Sequence, residues 1–341
     1  MSRLDLINGK VEMAHGGGGR AMAQLISQLF ARAFDNEWLA QGNDQAQLSF
    51  PAGRLAFAND SHVVSPLFFP GGDIGSLAVH GTLNDLAMCG ARPHALSVGF
   101  ILEEGFALAE LARIVESMAQ ASREANVPIV TGDTKVVERG KGDGVFINTS
   151  GVGIVPEGLD LSGDRARPGD CILLSGSVGD HGACILTQRE SLGFAADIRS
   201  DSCALHRLTQ AMVAQVPQLR CMRDPTRGGL ANTLNELAQQ SGVGMQLEEA
   251  AIPVIQPVQA VCELLGLDPL YLANEGKLVA ICPPEQAPEL LALMRAHPQG
   301  KSAAIIGTVT ADPQQFVQLR TRFGGNRLLD WLNSEPLPRI C

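Results

Sequence analysis

Apolar and polar positions along the chain follow two periods. Leu55-Ala-Phe-Ala-Asn-Asp60 alternates as a half-buried strand does and ends in polar residues. Ile74 to Cys89 reads as an amphipathic helix, broken by Gly90 and Pro93. Ala95 to Leu102 is rich in β formers. Phe106 to Asn126 spaces Leu108, Leu111, Ile114, Val115 and Met118 as one face of a long helix. Val127 to Val130 and Val145 to Val155 read as strands. The second half repeats the style. Cys171-Ile-Leu-Leu-Ser is a buried strand, and Asp180 to Thr187 opens a helix. Leu230 to Gln240 is a helix that stops before Ser241-Gly242. Lys277 to Cys282 and Ala303 to Val309 are strands, and a last helix is expected around Phe323 to Leu332. The alternation predicts an α/β or α+β class in two domains. Glycine, proline and charge cluster between Glu157 and Asp170, which sets the expected units at residues 1–156 and 157–332, with a tail at 333–341.

The length of 341 residues agrees with two domains. Asp and Glu outnumber Lys and Arg by 36 to 26, a balance of −10 that argues against a broad nucleic-acid footprint. An anionic substrate would then need local positive charge or a divalent metal. Aromatic residues at 4% are too sparse for a base-stacking platform. No apolar run is long enough to predict a transmembrane helix. Arg3, Asp5, Lys10 and Glu12 interrupt the start where a secretory signal would be apolar, so a cytoplasmic chain is expected.

The cysteines are Cys89, Cys171, Cys184, Cys203, Cys221, Cys262, Cys282 and Cys341, and none forms a C-x-x-C pair. In a reducing compartment they read as small buried hydrophobes. Cys341 differs because it is the last residue. Pro336 and Pro338 favour an extended tail, and nine residues span about 30 Å. A thiol on such a tail suits a group carried between sites; a frayed end that happens to finish in cysteine is the plainer alternative.

Several segments look like parts of one phosphate site. His15-Gly-Gly-Gly-Gly-Arg20 can bring bare backbone N–H groups to phosphate oxygens, though a flexible linker reads equally well. Gly300-Lys301-Ser302 is not the end of a Walker A loop, since Arg295 stands where glycine is required. Asn59-Asp60-Ser61, Asn84-Asp85-Leu86 and Thr131-Gly-Asp-Thr134 put carboxylates at expected strand ends or a helix start. Each alone suits a cap or turn, but together they could hold Mg²⁺ against a nucleotide, with Lys135 beside them. Arg223-Asp-Pro-Thr-Arg-Gly-Gly229 runs into a helix, and Asn274-Glu-Gly-Lys277 precedes a strand. Both also read as turns with exposed charge. The histidines show no metal-ligand spacing.

In this order the segments resemble the AIR-synthetase-like (PurM-like) ATP-dependent enzymes, and Asn84-Asp85-Leu-Ala-Met-Cys-Gly-Ala-Arg-Pro93 carries the general likeness. The narrower resemblance is to the HypE carbamoyl dehydratases of hydrogenase maturation. It rests on the glycine run, Thr131-Gly-Asp-Thr-Lys-Val-Val-Glu138, Arg223-Asp-Pro-Thr-Arg-Gly-Gly-Leu230, Asn274-Glu-Gly-Lys277 and the terminal Pro338-Arg-Ile-Cys341. The resemblance implies two α/β domains, with the N-terminal ones pairing in a homodimer as a shared β-barrel. It implies that HypF loads a carbamoyl group on Cys341, that ATP drives its dehydration to a thiocyanate, and that the cyano group passes to iron on a HypC–HypD complex. It implies Asp60, Asp85 and Asp133 as Mg²⁺ ligands. Gly16, Gly17, Gly18, Gly19, Thr226, Arg227 and Gly228 would contact the ATP phosphates. Glu275, taken as ionised, and Lys135 would share proton removal and polarisation of the carbamoyl group. The rival enzyme reading is selenophosphate synthetase, whose reactive residue lies near the N-terminus, whereas no cysteine here precedes Cys89. A non-catalytic carrier of Cys341 is the other.

Overall fold

The computed structural model describes residues 4–43, 45–189, 197–332 and 338–341. The glycine run leads into α1 (Arg20–Leu25), a π turn, α2 (Ala31–Phe34) and α3 (Glu37–Ala40). The first sheet then begins with β1 (Arg54–His62). After the short pair β2 (Phe68–Phe69) and β3 (Gly72–Asp73) come α4 (Ile74–Met88), β4 (Arg92–Glu103), α5 (Leu108–Ala125), β5 (Ile129–Val137) and β6 (Val145–Val155). The sheet order is β1-β6-β4-β5, with β4 and β5 parallel and the other pairs antiparallel.

Burial in β6 alternates at every residue from Val145 to Val155. The inner side packs on α4 and α5. The outer side is open, and leaves Leu55 61% and Phe57 74% exposed. Helix α4 has Asp73 as its N-cap, accepting from Gly75 N and Ser76 N. It is apolar on nearly every side because it lies between the first sheet and the second half of the chain. Helix α5 keeps a distinct apolar stripe and closes on Asn126 at φ 58°, a left-handed position that asparagine tolerates.

The second half holds β7 (Cys171–Leu174), α6 (Asp180–Arg189), α7 (His206–Gln215), β8 (Cys221–Arg223), α8 (Gly229–Ser241), β9 (Gly244–Glu248), α9 (Gln256–Leu265), β10 (Val279–Cys282), α10 (Ala287–Ala296), β11 (Ala304–Thr310), β12 (Val317–Arg320) and β13 (Asn326–Leu328). Its sheet runs β13-β12-β9-β11-β7-β10-β8. Four strictly buried positions in β10 mark it as a strand covered on both faces.

Two expectations need correction. The helix expected over Phe323 to Leu332 is instead a hairpin turn followed by β13, paired antiparallel with β12. Gly324 sits at φ 86°, and Thr321 N donates to Gly325 O at 2.7 Å, so the Gly-Gly step makes a turn. The strand expected to end at Val130 runs on to Val137, carrying Thr131-Gly-Asp-Thr-Lys inside the sheet. Among the described residues no helix is long and apolar enough to cross a membrane.

Candidate functional site

Strand parity decides the first group of acids. Asp60 and His62 point to the inner face of β1, with His62 Nε2 3.2 Å from Asp60 Oδ2. Gly81 of α4 makes room for them: a Cβ there would stand 2.9 Å from His62 Nε2 and 3.2 Å from Asp60 Oδ2. Asp85 lies in the last turns of α4, not at a helix start, and opens to the same cleft. The loop between β8 and α8 brings Asp224, Thr226, Arg227 and Gly228. Gly228 takes φ 74°, and a Cβ there would meet Asn232 Nδ2 at 1.9 Å, so the loop requires glycine.

Three side chains knit the motifs together. Asn84 donates to Cys203 O at 3.0 Å and Glu275 O at 3.3 Å, and accepts from Leu205 N at 2.8 Å. Asn274 donates to Pro225 O at 2.8 Å and accepts from Gly179 N at 2.8 Å. Asp201 accepts from Glu275 N, Gly276 N and Lys277 Nζ at 3.0–3.1 Å. Glu275 is thereby fixed in the wall of the cleft, 4% exposed. Its Oε1 has no hydrogen-bond partner among the described residues.

The electrostatics follow from this crowding. Burial raises the Glu275 carboxyl well above the ordinary range, and Asp201, Asp224, Asp60 and Asp85 raise it further. The Glu275 carboxyl therefore gives up its proton less readily than the ionised glutamate expected from the sequence. Loss of water in the cleft, with Asp224 and Asp60 close by, pushes Asp85 up to about 7 against the pull of Arg223 and Arg227. Burial takes Asp224 to about 6. Asp60 ends below its ordinary value: burial raises it, but the neighbouring His62, the Ser61 N–H and the charge of Arg227 together outweigh that. Lys277 also stays charged, since Asp201 and Asp180 overcome its burial.

The remaining expected residues lie elsewhere. Asp133 and Lys135 point to the outer face of β5, where Lys135 Nζ holds Asp133 at 2.6 Å. The pairing Ser61↔Asn148↔Gly99↔Asp133 puts three steps of about 4.8 Å, roughly 14 Å, between Asp133 and β1. Gly16 packs against the same edge strand, with a Cβ there 2.9 Å from Val136 N, while Gly18 and Gly19 face open space. The chain thus gathers Asp60, Asp85, Thr226, Arg227, Gly228 and Glu275 on one side. It keeps Gly16–Gly19, Asp133 and Lys135 at the far edge. Among the described residues no three His, Cys, Asp or Glu side chains close into a metal cage.

Residues 333–337 of the tail lie outside the described residues. The last four residues are docked. Val63 N donates to Cys341 O at 2.9 Å and Ser65 N to Arg339 O at 3.2 Å, so the end lies beside the chain leaving β1, with Arg339 turned to φ 57°. Arg189 donates to Arg339 O and Ser65 O, and Arg339 pairs with Asp143. Ile340 is 4% exposed within the core, and Cys341 packs half-buried against it.

The profiles for the AIR synthase related proteins match residues 42–155 (N-terminal domain) and 167–320 (C-terminal domain). Carbamoyl dehydratase HypE of Azotobacter vinelandii is 74% identical over the full length of both chains. The chain belongs to the HypE carbamoyl dehydratases. A crystal structure of hydrogenase maturation protein HypE in complex with ATP aligns with a TM-score of 0.94 at 54% identity, covering 97% of this chain and 99% of the other. A HypE–HypF complex aligns at 0.80 with 46% identity, covering 90% of this chain and 99% of that one.

Within this HypE fold, sequence reasoning missed Asp201 and left Asp224 out of the acidic set. Asp201 is 74 residues from the amide it holds, and no local pattern signals such a contact. Asp224 could have been found, since it stands inside Arg223-Asp-Pro-Thr-Arg-Gly-Gly229.

Proposed function

We propose that this chain uses ATP to dehydrate a carbamoyl group carried on Cys341, giving a thiocyanate whose cyano group serves the nickel–iron hydrogenase centre. The observation that carries this is the docked C-terminus: its final carbonyl is held at Val63, three residues, or about 10 Å, along the chain from Asp60 of the acidic cleft. An amide oxygen leaves poorly, so transfer of the γ-phosphoryl group onto it, with loss of one N–H proton, makes an imidate phosphate. Expulsion of phosphate with the second N–H proton leaves S–C≡N. Thr226, Arg227 and Gly228 would hold the ATP phosphates at the start of α8. Asp60, Asp85 and Asp224 suit a hard cation, since the carboxylates around Glu275 outnumber the nearby guanidiniums of Arg223 and Arg227. Mg²⁺ there would supply charge neutralisation for the phosphates. Its arrival would also favour ionisation of Glu275, making that residue the proton acceptor.

The outer sheet face, with Leu55, Phe57 and Ile101 exposed, suits pairing with a second copy as a shared barrel. That would bring Asp133, Lys135 and Gly16–Gly19 of one subunit to the cleft of the other. HypF, which one relative is crystallised with, would load the thiol, and a HypC–HypD complex would accept the cyano group. Residues 1–156 would carry the pairing face and 157–332 the α8 phosphate loop. The test is intact mass after incubation with HypF, carbamoyl phosphate and ATP. A gain of about 43 Da followed by an ATP-dependent loss of about 18 Da is expected, both absent in Cys341→Ala. ATP hydrolysis with no mass change would overturn the reading.

A further inference from the structure

The tail is held by a buried histidine that none of the motifs above contains. His181, in the first turn of α6, is fully buried and edge-on to Phe69. Its Nε2 lies 2.7 Å from Ile340 O and its Nδ1 2.8 Å from Ser200 Oγ. The Ile340 carbonyl can only accept, so Nε2 must carry a proton, and Nδ1 of a neutral ring then accepts the Ser200 hydroxyl, whose oxygen also takes Ser202 N–H at 3.1 Å. The proton of the neutral ring is therefore on Nε2, where it donates to the tail carbonyl. The next residue, Asp201, is the one that grips Glu275 N, Gly276 N and Lys277 Nζ. One three-residue segment, Ser200 to Ser202, thus touches both the histidine that holds the tail and the loop that holds Glu275.

We propose that His181 is a positioning residue for the loaded tail: it fixes the Ile340 carbonyl so that the Cys341 sulfur, one residue on, presents its carbamoyl group to the Glu275 cleft, in register with that loop through Ser200 and Asp201. This rests on the dehydratase reading above. His181 does no chemistry on the substrate. It raises the effective concentration of a group tethered to the same chain. The hold consists of hydrogen bonds, the Arg339–Asp143 ion pair and one buried isoleucine, with no covalent link, so the tail can also leave to be loaded.

The test compares His181→Phe, which keeps a flat ring without the donor, with His181→Gln, which restores a donor near the same reach. On this proposal HypF meets the undocked tail, so the first mass gain should proceed at the wild-type rate or faster in both. The ATP-dependent loss of water should slow about tenfold in His181→Phe, the worth of one buried hydrogen bond, and recover in His181→Gln. Trypsin cleavage after Arg339, releasing Ile340-Cys341, should become several-fold faster in His181→Phe. Wild-type dehydration and wild-type protection of Arg339 in His181→Phe would overturn the proposal. So would equal defects in both variants with equal losses of thermal stability, the mark of a packing role. If neither variant folds, Ser200→Ala decides: it frees the Nδ1 side of the ring, and an unchanged dehydration rate would overturn the proposal. Failure of the dehydratase reading itself would appear as wild-type chain that never gains mass, and the trypsin assay would still test the hold.

Discussion

Asp60 and Asp133 stand on opposite faces of the same four-stranded sheet. Asp60 faces α4 beside His62, while Asp133 faces outward under Lys135. Successive side chains on a strand alternate faces, so within one protomer the two carboxylates cannot approach a common ion without refolding the sheet. Asp85 shares the side of Asp60, and its raised proton affinity names Asp60 and Asp224 among its causes but not Asp133.

If Asp133 serves the cleft, it serves that of a second subunit. Asp85→Asn and Asp133→Asn should each abolish dehydration as pure proteins. After subunit exchange in an equal mixture, half the dimers are mixed, and each mixed dimer holds one intact site and one doubly altered site. Activity should return to about a quarter of wild type. A mixture that stays inactive would show that the outer and inner residues do not meet across subunits.

The pH dependence of cation binding should report Asp85. With a value of about 7, this carboxyl is largely protonated at pH 6. A divalent cation needs it ionised, so apparent Mg²⁺ affinity should rise with pH, by up to about tenfold per unit, and level off above about 7. Asp85→Asn should remove that slope. Linkage gives the opposite sign for the metal-free fold. A carboxyl raised above its unfolded value favours the native state at low pH, and that stability fades as pH rises through about 7. Thermal melts without Mg²⁺ should therefore decline between pH 5 and 8, and more shallowly in Asp85→Asn.

Much of this arrangement was legible in the sequence, for a local reason: strands, helices and the motif loops are set by periods and turn residues within a few positions. Gly228 and the start of α8, and the strand after Asn274-Glu-Gly-Lys277, stand where the pattern put them. What the sequence hid was which residues share a face. Extending β5 through Thr131-Gly-Asp-Thr134 turned Asp133 from a strand-end ligand into a mid-strand residue whose side is fixed by parity. The raised proton affinity of Glu275 was hidden as well, because its causes are burial and the carboxylates of Asp201, Asp224, Asp60 and Asp85, brought together from distant parts of the chain. The turn at Gly324 was visible as Gly-Gly, yet the apolar residues around it read as a helix.

Glu275 trades stability for chemistry. Glu275→Gln keeps the shape and removes the titrating group, so dehydration should fall by roughly 10²- to 10⁴-fold with ATP binding retained. Stability should move the other way. The raised Glu275 carboxyl favours the fold when protonated, and that contribution is lost as pH climbs through its folded value. At pH 8 the glutamine variant should melt above wild type in the absence of Mg²⁺. A variant that is both active and unchanged in melting would remove Glu275 from the reaction.

The glycines separate fold from phosphate contact. Gly228 is demanded by the backbone: φ is 74° and an added methyl group would collide with Asn232. Gly228→Ala should cost on the order of 1–3 kcal/mol of stability and weaken ATP binding as a consequence. Gly19 is different. Its φ is −94°, and a methyl group added there would meet nothing within 4 Å. As the N-cap of α1, alanine there costs about 1 kcal/mol or less. If the glycine run approaches phosphate, Gly19→Ala should raise the KM for ATP several-fold while the melting temperature barely moves. Equal KM values in Gly19→Ala and wild type would mark the run as a linker, leaving the phosphates to Thr226, Arg227 and Gly228.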